Sequence, residues 1–309
     1  MRAAEGLVPA GGGARAEAKL YDHSMRGASA ALTLTGLACA FAGAFTGAAS
    51  ATSYVAMGDS YTAGPGISPS APGSPPECGR SANNYAHLTA TALGLTLEDV
   101  SCSGASRYDF TNAQYAAQPP QFDALSEATE VVSVSMGGND DSIYGRLVAG
   151  CSETDSGDPQ AKGAPCKHKY GATEETAIKQ DTQPYTEALA KIHTLAPRAK
   201  VFVVGYPEIT PRSGPGCPAT VPFTNADDHW ASALERKLNA MLQKAAKADG
   251  YTYVNTFPAS EAHNACRGLG ARWVEPLENP ADGVSLHPNA LGHEAIAGIL
   301  ETAMTKAGI

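Results

Sequence analysis

The chain has 309 residues, 43% hydrophobic and 17% charged, enough apolar material for one soluble domain with a full core. Its formal net charge of -9 excludes a nucleic-acid binder, whose partner demands a basic surface, and no polybasic run offers a membrane anchor.

The first fifty residues are rich in Ala and Gly and lack core-building periodicity. Arg26 precedes an apolar, small-residue run from Ala28 to Phe45, and Ala49-Ser50-Ala51 forms a small-x-small cleavage site. Residues 1–51 are therefore expected to be a secretory signal, with Met25 as the true start and residues 1–24 an upstream misassignment. A transmembrane anchor fits less well because no basic stop-transfer flank follows. A lipoprotein site at Cys39 lacks the large aliphatic residue expected where Gly36 stands. The remaining chain, 52–309, reads as a single domain, expected to be secreted and monomeric.

Within it, short apolar runs at Tyr54–Met57, Val131–Met136, Val201–Gly205 and Tyr251–Asn255 predict strands. Helical patterns span Asn84–Leu93, Thr173–Leu195, Asn225–Ala248 and Pro288–Ala307, with Pro288 suited to a first helical position. Buried strands alternating with amphipathic helices predict an α/β fold with a parallel sheet covered on both faces. Ligands then bind at the carboxyl ends of the strands, where Ser60 and Asn139 both fall. Long connections rich in Gly and Pro are expected at 65–81, 145–171 and 206–223, with an irregular stretch at 257–286.

Export changes how the cysteines are read. Without Cys39 an even six remain, and in an oxidising compartment they imply three disulfides. Six cysteines allow 15 connectivities. The expected set is the sequential one, Cys78–Cys102, Cys151–Cys166 and Cys217–Cys266, in which each bridge staples one long loop. No C-x2-C spacing supports zinc, and His293-Glu294 starts no zinc-protease helix because position 297 is alanine. No metal and no cofactor are expected.

Four segments carry the chemistry: Gly58-Asp59-Ser60-Tyr61, Ser103-Gly104-Ala105-Ser106, Gly137-Gly138-Asn139-Asp140 and His287-Pro288-Asn289. Each has a bland reading. Ser60 alone could cap a helix, Gly-Gly-Asn-Asp is a good turn sequence, and a lone histidine can be a surface residue. Together they supply a nucleophile, two amide donors and a base, the parts list for acyl transfer. The G-x-S-x-G elbow is absent, since Thr62 occupies its last position.

In this order the segments resemble the four signature blocks of the GDSL, or SGNH, hydrolase family, in its secreted actinobacterial lipase/esterase branch. The resemblance covers 52–309 and implies a single-domain, flavodoxin-like three-layer α/β/α sandwich. It implies Ser60 as nucleophile, Gly104 and Asn139 as oxyanion donors beside the Ser60 amide, and His287 as base. The family's last block usually reads Asp-x-x-His, but Val284 stands at the Asp position. Either Asp282 or a backbone carbonyl at Val284 would then orient the imidazole. The implied substrate is a fatty-acyl ester such as an acylglycerol. Alternatives within the family are a phospholipase and a carbohydrate or polymer ester deacetylase, and outside it an inactive binding module. Tyr61, Tyr85, Tyr108, Tyr206 and Trp273 are candidates to line the substrate groove.

Overall fold

A computed structural model describes residues 51–155 and 162–309, which belong to one compact unit, Ala49–Ile309. The expected signal lies, but for residue 51, outside the described residues. In chain order the elements are β1 (Ser53–Gly58), α1 (Ser60–Ala63), α2 (Tyr85–Leu93), β2 (Thr96–Asp99), β3 (Val131–Ser135), α3 (Ile143–Gly145), α4 (Cys151–Asp155), α5 (Pro165–Leu195), β4 (Lys200–Val204), α6 (Asn225–Ala248), β5 (Thr252–Val254), α7 (Phe257–Ser260) and α8 (Ala290–Lys306).

The five strands form one all-parallel sheet in the order β2-β1-β3-β4-β5. Alternation along the strands sorts the core into two layers. Tyr54, Ala56, Phe202 and Val204 face α2 and α8, whereas Val55, Met57, Val201 and Val203 share a core with α5 and α6. Helix α6 shows why its sequence takes this place. Leu234, Leu238, Met241, Leu242 and Ala245 fall on one buried stripe, and each large side chain buried there contributes about 1.5–3 kcal/mol. The result is the expected three-layer sandwich.

Several expectations change. Thr96–Asp99 is an edge strand that the sequence hid, because its alternately exposed Thr-Leu-Glu-Asp pattern carries charge rather than a hydrophobic run. The connection expected at 145–171 is largely helical: a π turn at Arg146–Gly150 runs into α4, and α5 starts at Pro165 rather than Thr173. Gly171, which resembles a loop residue, is buried inside α5. The start of α5 is fixed from outside, since the Asp227 carboxylate on α6 accepts the N–H groups of Cys166 at 3.0 Å and Lys167 at 2.8 Å. At the other end of the chain α8 begins at Ala290, so Pro288 precedes the helix instead of opening it, and Asn289 is the cap, its side chain accepting the Gly292 N–H at 3.0 Å. The disulfides are Cys78–Cys102, Cys151–Cys166 and Cys217–Cys266.

Register brings two of the chemical segments together. Gly58, the last residue of β1, is level with Ser135, the last of β3, so the turns that follow leave the same sheet edge.

Candidate active site

Ser60 opens α1, where the chain turns sharply out of β1. Asp59 caps this turn, accepting the Tyr61 N–H at 2.9 Å. Only glycine fits at position 58, because a Cβ there would lie 2.6 Å from the Ser135 carbonyl oxygen. The Gln121 amide clamps the same residue from the side, accepting the Gly58 N–H at 2.8 Å and donating to its carbonyl at 2.9 Å. The Ser60 side chain is thereby held at the end of a strand buried from Tyr54 onward.

His287 arrives from the opposite end of the chain. Its residue pairs with Glu275: the Glu275 N–H donates to the His287 carbonyl at 2.9 Å, and the Leu286 N–H to the Glu275 carbonyl at 3.0 Å. Burial pushes the Glu275 carboxyl up, but bonds from Arg272, the Ala281 N–H and Asn289 together bring it below its ordinary value. A charged Glu275 so organises the loop that carries the imidazole.

The imidazole then meets two partners. Nε2 lies 2.8 Å from Ser60 Oγ, and Nδ1 lies 2.8 Å from the Ser285 carbonyl oxygen. A carbonyl only accepts, so Nδ1 carries the proton and Nε2 is left to accept from the serine hydroxyl. Burial lowers the His287 pKa, opposed by the bond to Ser285, which keeps the ring neutral at pH 7. Neither group expected to orient His287 does so. The Val284 carbonyl instead accepts the His287 backbone N–H at 3.2 Å, and Asp282 Oδ2 accepts the Ala290 N–H at 2.9 Å, at the start of α8. The carbonyl one residue closer, that of Ser285, takes the position.

The other two segments are tied to the turn that carries Ser60. Gly104 has φ +80°, a left-handed conformation that favours glycine, in a loop where the Cys102 N–H donates to the Gly58 carbonyl at 3.0 Å. The Asn139 side-chain amide donates to the Ala105 carbonyl at 2.9 Å, which sets it beside the Gly104 loop with a second N–H still to offer. Among the described residues the backbone N–H groups of Ser60 and Gly104 have no acceptor. Two links tie these turns together. The Tyr206 hydroxyl donates to Asp59 Oδ2 at 2.6 Å and accepts the Gly138 N–H at 2.9 Å. Arg107, three residues past Gly104, donates its backbone N–H to Asp140 at 2.7 Å, while its guanidinium reaches Asp140 at 3.4 Å and Asp181 at 2.6 Å. Burial raises Asp59 to about 7 and Asp140 to about 6.

Ser285, Gln121, Arg107 and the linking role of Tyr206 are not legible in the sequence. Backbone carbonyls leave no trace in side-chain chemistry, and the others act through contacts remote in sequence. Of the aromatic residues expected to line a groove, Tyr61, Tyr85 and Tyr206 are buried, and Tyr108 is 57% exposed. His293 is buried under α2, its Nδ1 accepting the Tyr85 N–H at 3.1 Å, a structural placement. Among the described residues no group of three or more His, Cys, Asp or Glu side chains is arranged to hold a metal ion. No described helix is long and apolar enough to cross a membrane.

Residues 56–295 match the model of the GDSL-like Lipase/Acylhydrolase family. The chain belongs to that family. It is a carboxylic ester hydrolase, and all four segments fall within the matched region. Lipase 2 of Streptomyces coelicolor is 40% identical over 248 residues, covering 79% of this chain and 83% of that protein. Two solved structures are similar. Phospholipase A1 from Streptomyces albidoflavus NA297 has a TM-score of 0.68 at 26% identity, over 82% of this chain and 99% of that one. The extracellular lipase from Streptomyces rimosus has a TM-score of 0.66 at 27% identity, over 82% of this chain and 100% of that one. This GDSL hydrolase thus shares its fold with enzymes named for both lipase and phospholipase activity.

Proposed function

We propose that the chain hydrolyses fatty-acyl esters such as acylglycerols through an acyl-enzyme on Ser60. The observation that carries the reading is the pair of bonds at His287, which fixes Nε2 as an acceptor 2.8 Å from Ser60 Oγ. His287 takes the hydroxyl proton as Ser60 attacks the ester carbonyl. The oxyanion that forms is met by the amides of Ser60, Gly104 and Asn139, each such donor being worth about 10²–10³ in rate. The imidazolium, stabilised by the Ser285 carbonyl in place of a carboxylate, returns the proton to the leaving alcohol. Water then repeats the sequence on the acyl-enzyme. The site is a dyad oriented by the main chain.

Fatty-acyl esters are favoured because the relative at 40% identity is named a lipase. The likeness to a phospholipase A1 supports a second reading, in which the ester is that of a glycerophospholipid. Export fits the three disulfides and the extracellular lipase among the similar structures.

The test is hydrolysis of p-nitrophenyl esters from C2 to C16, emulsified triolein and phosphatidylcholine vesicles by the mature protein, with Ser60→Ala and His287→Ala beside it. Long-chain and triolein cleavage, abolished in both variants while folding is retained, is the expected outcome. Cleavage of phosphatidylcholine in preference to triolein selects the phospholipase, and activity confined to C2 selects a deacetylase. Retained activity in either variant refutes the site.

A further inference from the structure

Tyr61 stands immediately after Ser60, yet its side chain contacts the base rather than the nucleophile. Its hydroxyl donates to the Leu286 carbonyl at 2.6 Å, and its ring lies 4.9 Å, centroid to centroid, from the His287 imidazole. The phenol is buried, and burial pushes its pKa well above 10, so it remains a donor at any working pH. Two further tyrosine rings wall it in, Tyr144 at 5.4 Å and Tyr206 at 5.1 Å. Its own N–H is held by Asp59.

The acceptor of this bond is unusual. Leu286 has φ +57°, a left-handed conformation that a branched side chain adopts only where its surroundings hold it there. The peptide joining Leu286 to His287 is restrained at both ends: Tyr61 holds its carbonyl, and the Val284 carbonyl accepts its N–H at 3.2 Å. That peptide plane sets the direction in which the His287 side chain leaves the backbone. Releasing its carbonyl frees a strained residue to relax, and the imidazole turns with it.

We propose that Tyr61 is a positioning residue for the general base, coupling the nucleophile's own helix to the Leu286–His287 peptide so that Nε2 stays on Ser60 Oγ. The proposal rests on the reading of Ser60 and His287 as nucleophile and base. It explains how a dyad without a carboxylate keeps its imidazole in register: the restraint on direction comes from a phenol, and the restraint on tautomer from Ser285.

The test is Tyr61→Phe, which keeps ring and volume and removes one hydrogen bond, assayed on p-nitrophenyl esters well below its melting temperature. A misplacement of the base by up to about 1 Å costs about 10–100-fold. The expected result is a loss of that size in kcat with KM within twofold, together with broadening of the downfield proton resonance of His287 Nδ1–H. A purely structural role would lower the melting temperature alone and leave kcat and the resonance as they were, which overturns the proposal. Tyr61→Leu, lacking ring and hydroxyl, must be at least as slow as Tyr61→Phe; a folded Tyr61→Leu with wild-type kcat overturns it equally. Ser60→Ala and His287→Ala separate the two levels. Activity in either defeats the reading of the site, whereas inactivity in both beside a normal Tyr61→Phe defeats the role of Tyr61 alone.

Discussion

The His287 imidazole is oriented by the main chain and by no acidic side chain. One carbonyl, that of Ser285, fixes the tautomer at 2.8 Å, and burial keeps the ring neutral. Asp282, the acid nearest in sequence, is engaged elsewhere, accepting the Ala290 N–H at the start of α8 and placing a negative charge at that helix's positive end. Replacing it should therefore separate stability from rate. Asp282→Ala is expected to lower stability by about 1 kcal/mol, as loss of a cap does, while kcat on a short-chain ester stays within threefold. Urea titration and steady-state kinetics on the same preparation check this. A fall in kcat of several powers of ten would make Asp282 the third catalytic member. The sequence could place the orienting group near Val284 because an Asp is missing there. It could not choose among neighbouring carbonyls, since that choice is made by the positive φ of Leu286, which no side-chain pattern announces.

Among the elements, the loops differ in what their bridges do. Chain entropy ranks the three disulfides by the length they close, 49 residues for Cys217–Cys266, 24 for Cys78–Cys102 and 15 for Cys151–Cys166. Removing them singly as Cys→Ser pairs is expected to cost about 3–4 kcal/mol each, in that order. The middle one should also slow catalysis, because Cys102 donates its N–H to the Gly58 carbonyl and precedes Gly104 by two residues. Urea midpoints with kcat measured in native buffer test both statements. A Cys78→Ser/Cys102→Ser enzyme with unaltered kcat would mean the Gly104 loop is held by its hydrogen bonds alone. The same elements show what was legible. Strands β1, β3 and β4 were readable as apolar runs, and α6 by its stripe, because burial on this scale dictates composition. Edge strand β2 was not, since one neighbour and solvent on its far side permit Thr-Leu-Glu-Asp. The first two turns of α5 were hidden by Pro165 and Gly171, and their helical form depends on Asp227, sixty residues away on α6. Of the site, the four segments were visible because their chemistry lies in side-chain identity and in glycine. The restraints around them, Gln121, Tyr206 and Arg107, become functional only once the fold brings distant segments into contact.

At the scale of the whole molecule, the acidic balance extends into the interior, and this gives stability a pH dependence opposite to that of a chain with paired surface carboxylates. Burial, reinforced by Asp155 and Asp227, raises Asp228 to about 8, and burial raises Asp59 to about 7. Both oxygens of Asp228 lack a hydrogen-bond partner, so nothing offsets its charged form. A carboxyl whose native pKa exceeds its unfolded value leaves the native state richer in protons. Its contribution is full below the unfolded value and is lost as pH rises through the native one. Histidine works the other way here: burial lowers His293 to about 3, so its term is lost as pH falls through about 6.5 and levels off within about one unit above it. The interval from pH 6.5 to 8.5 is therefore dominated by the acids. The free energy of unfolding is expected to fall across it by at least on the order of 2 kcal/mol, with Asp228, Asp59 and the fully buried Glu235, which burial also raises well above its ordinary value, all contributing. Asp228→Asn keeps the shape of the side chain without a charge to bury. It should make the profile shallower by on the order of 2 kcal/mol between the two pH values and make the variant the more stable protein at pH 8.5. Urea denaturation of both proteins at the two pH values decides it: parallel profiles would mean that Asp228 carries its charge in the native state already at pH 6.5, and that a cation or water compensates it.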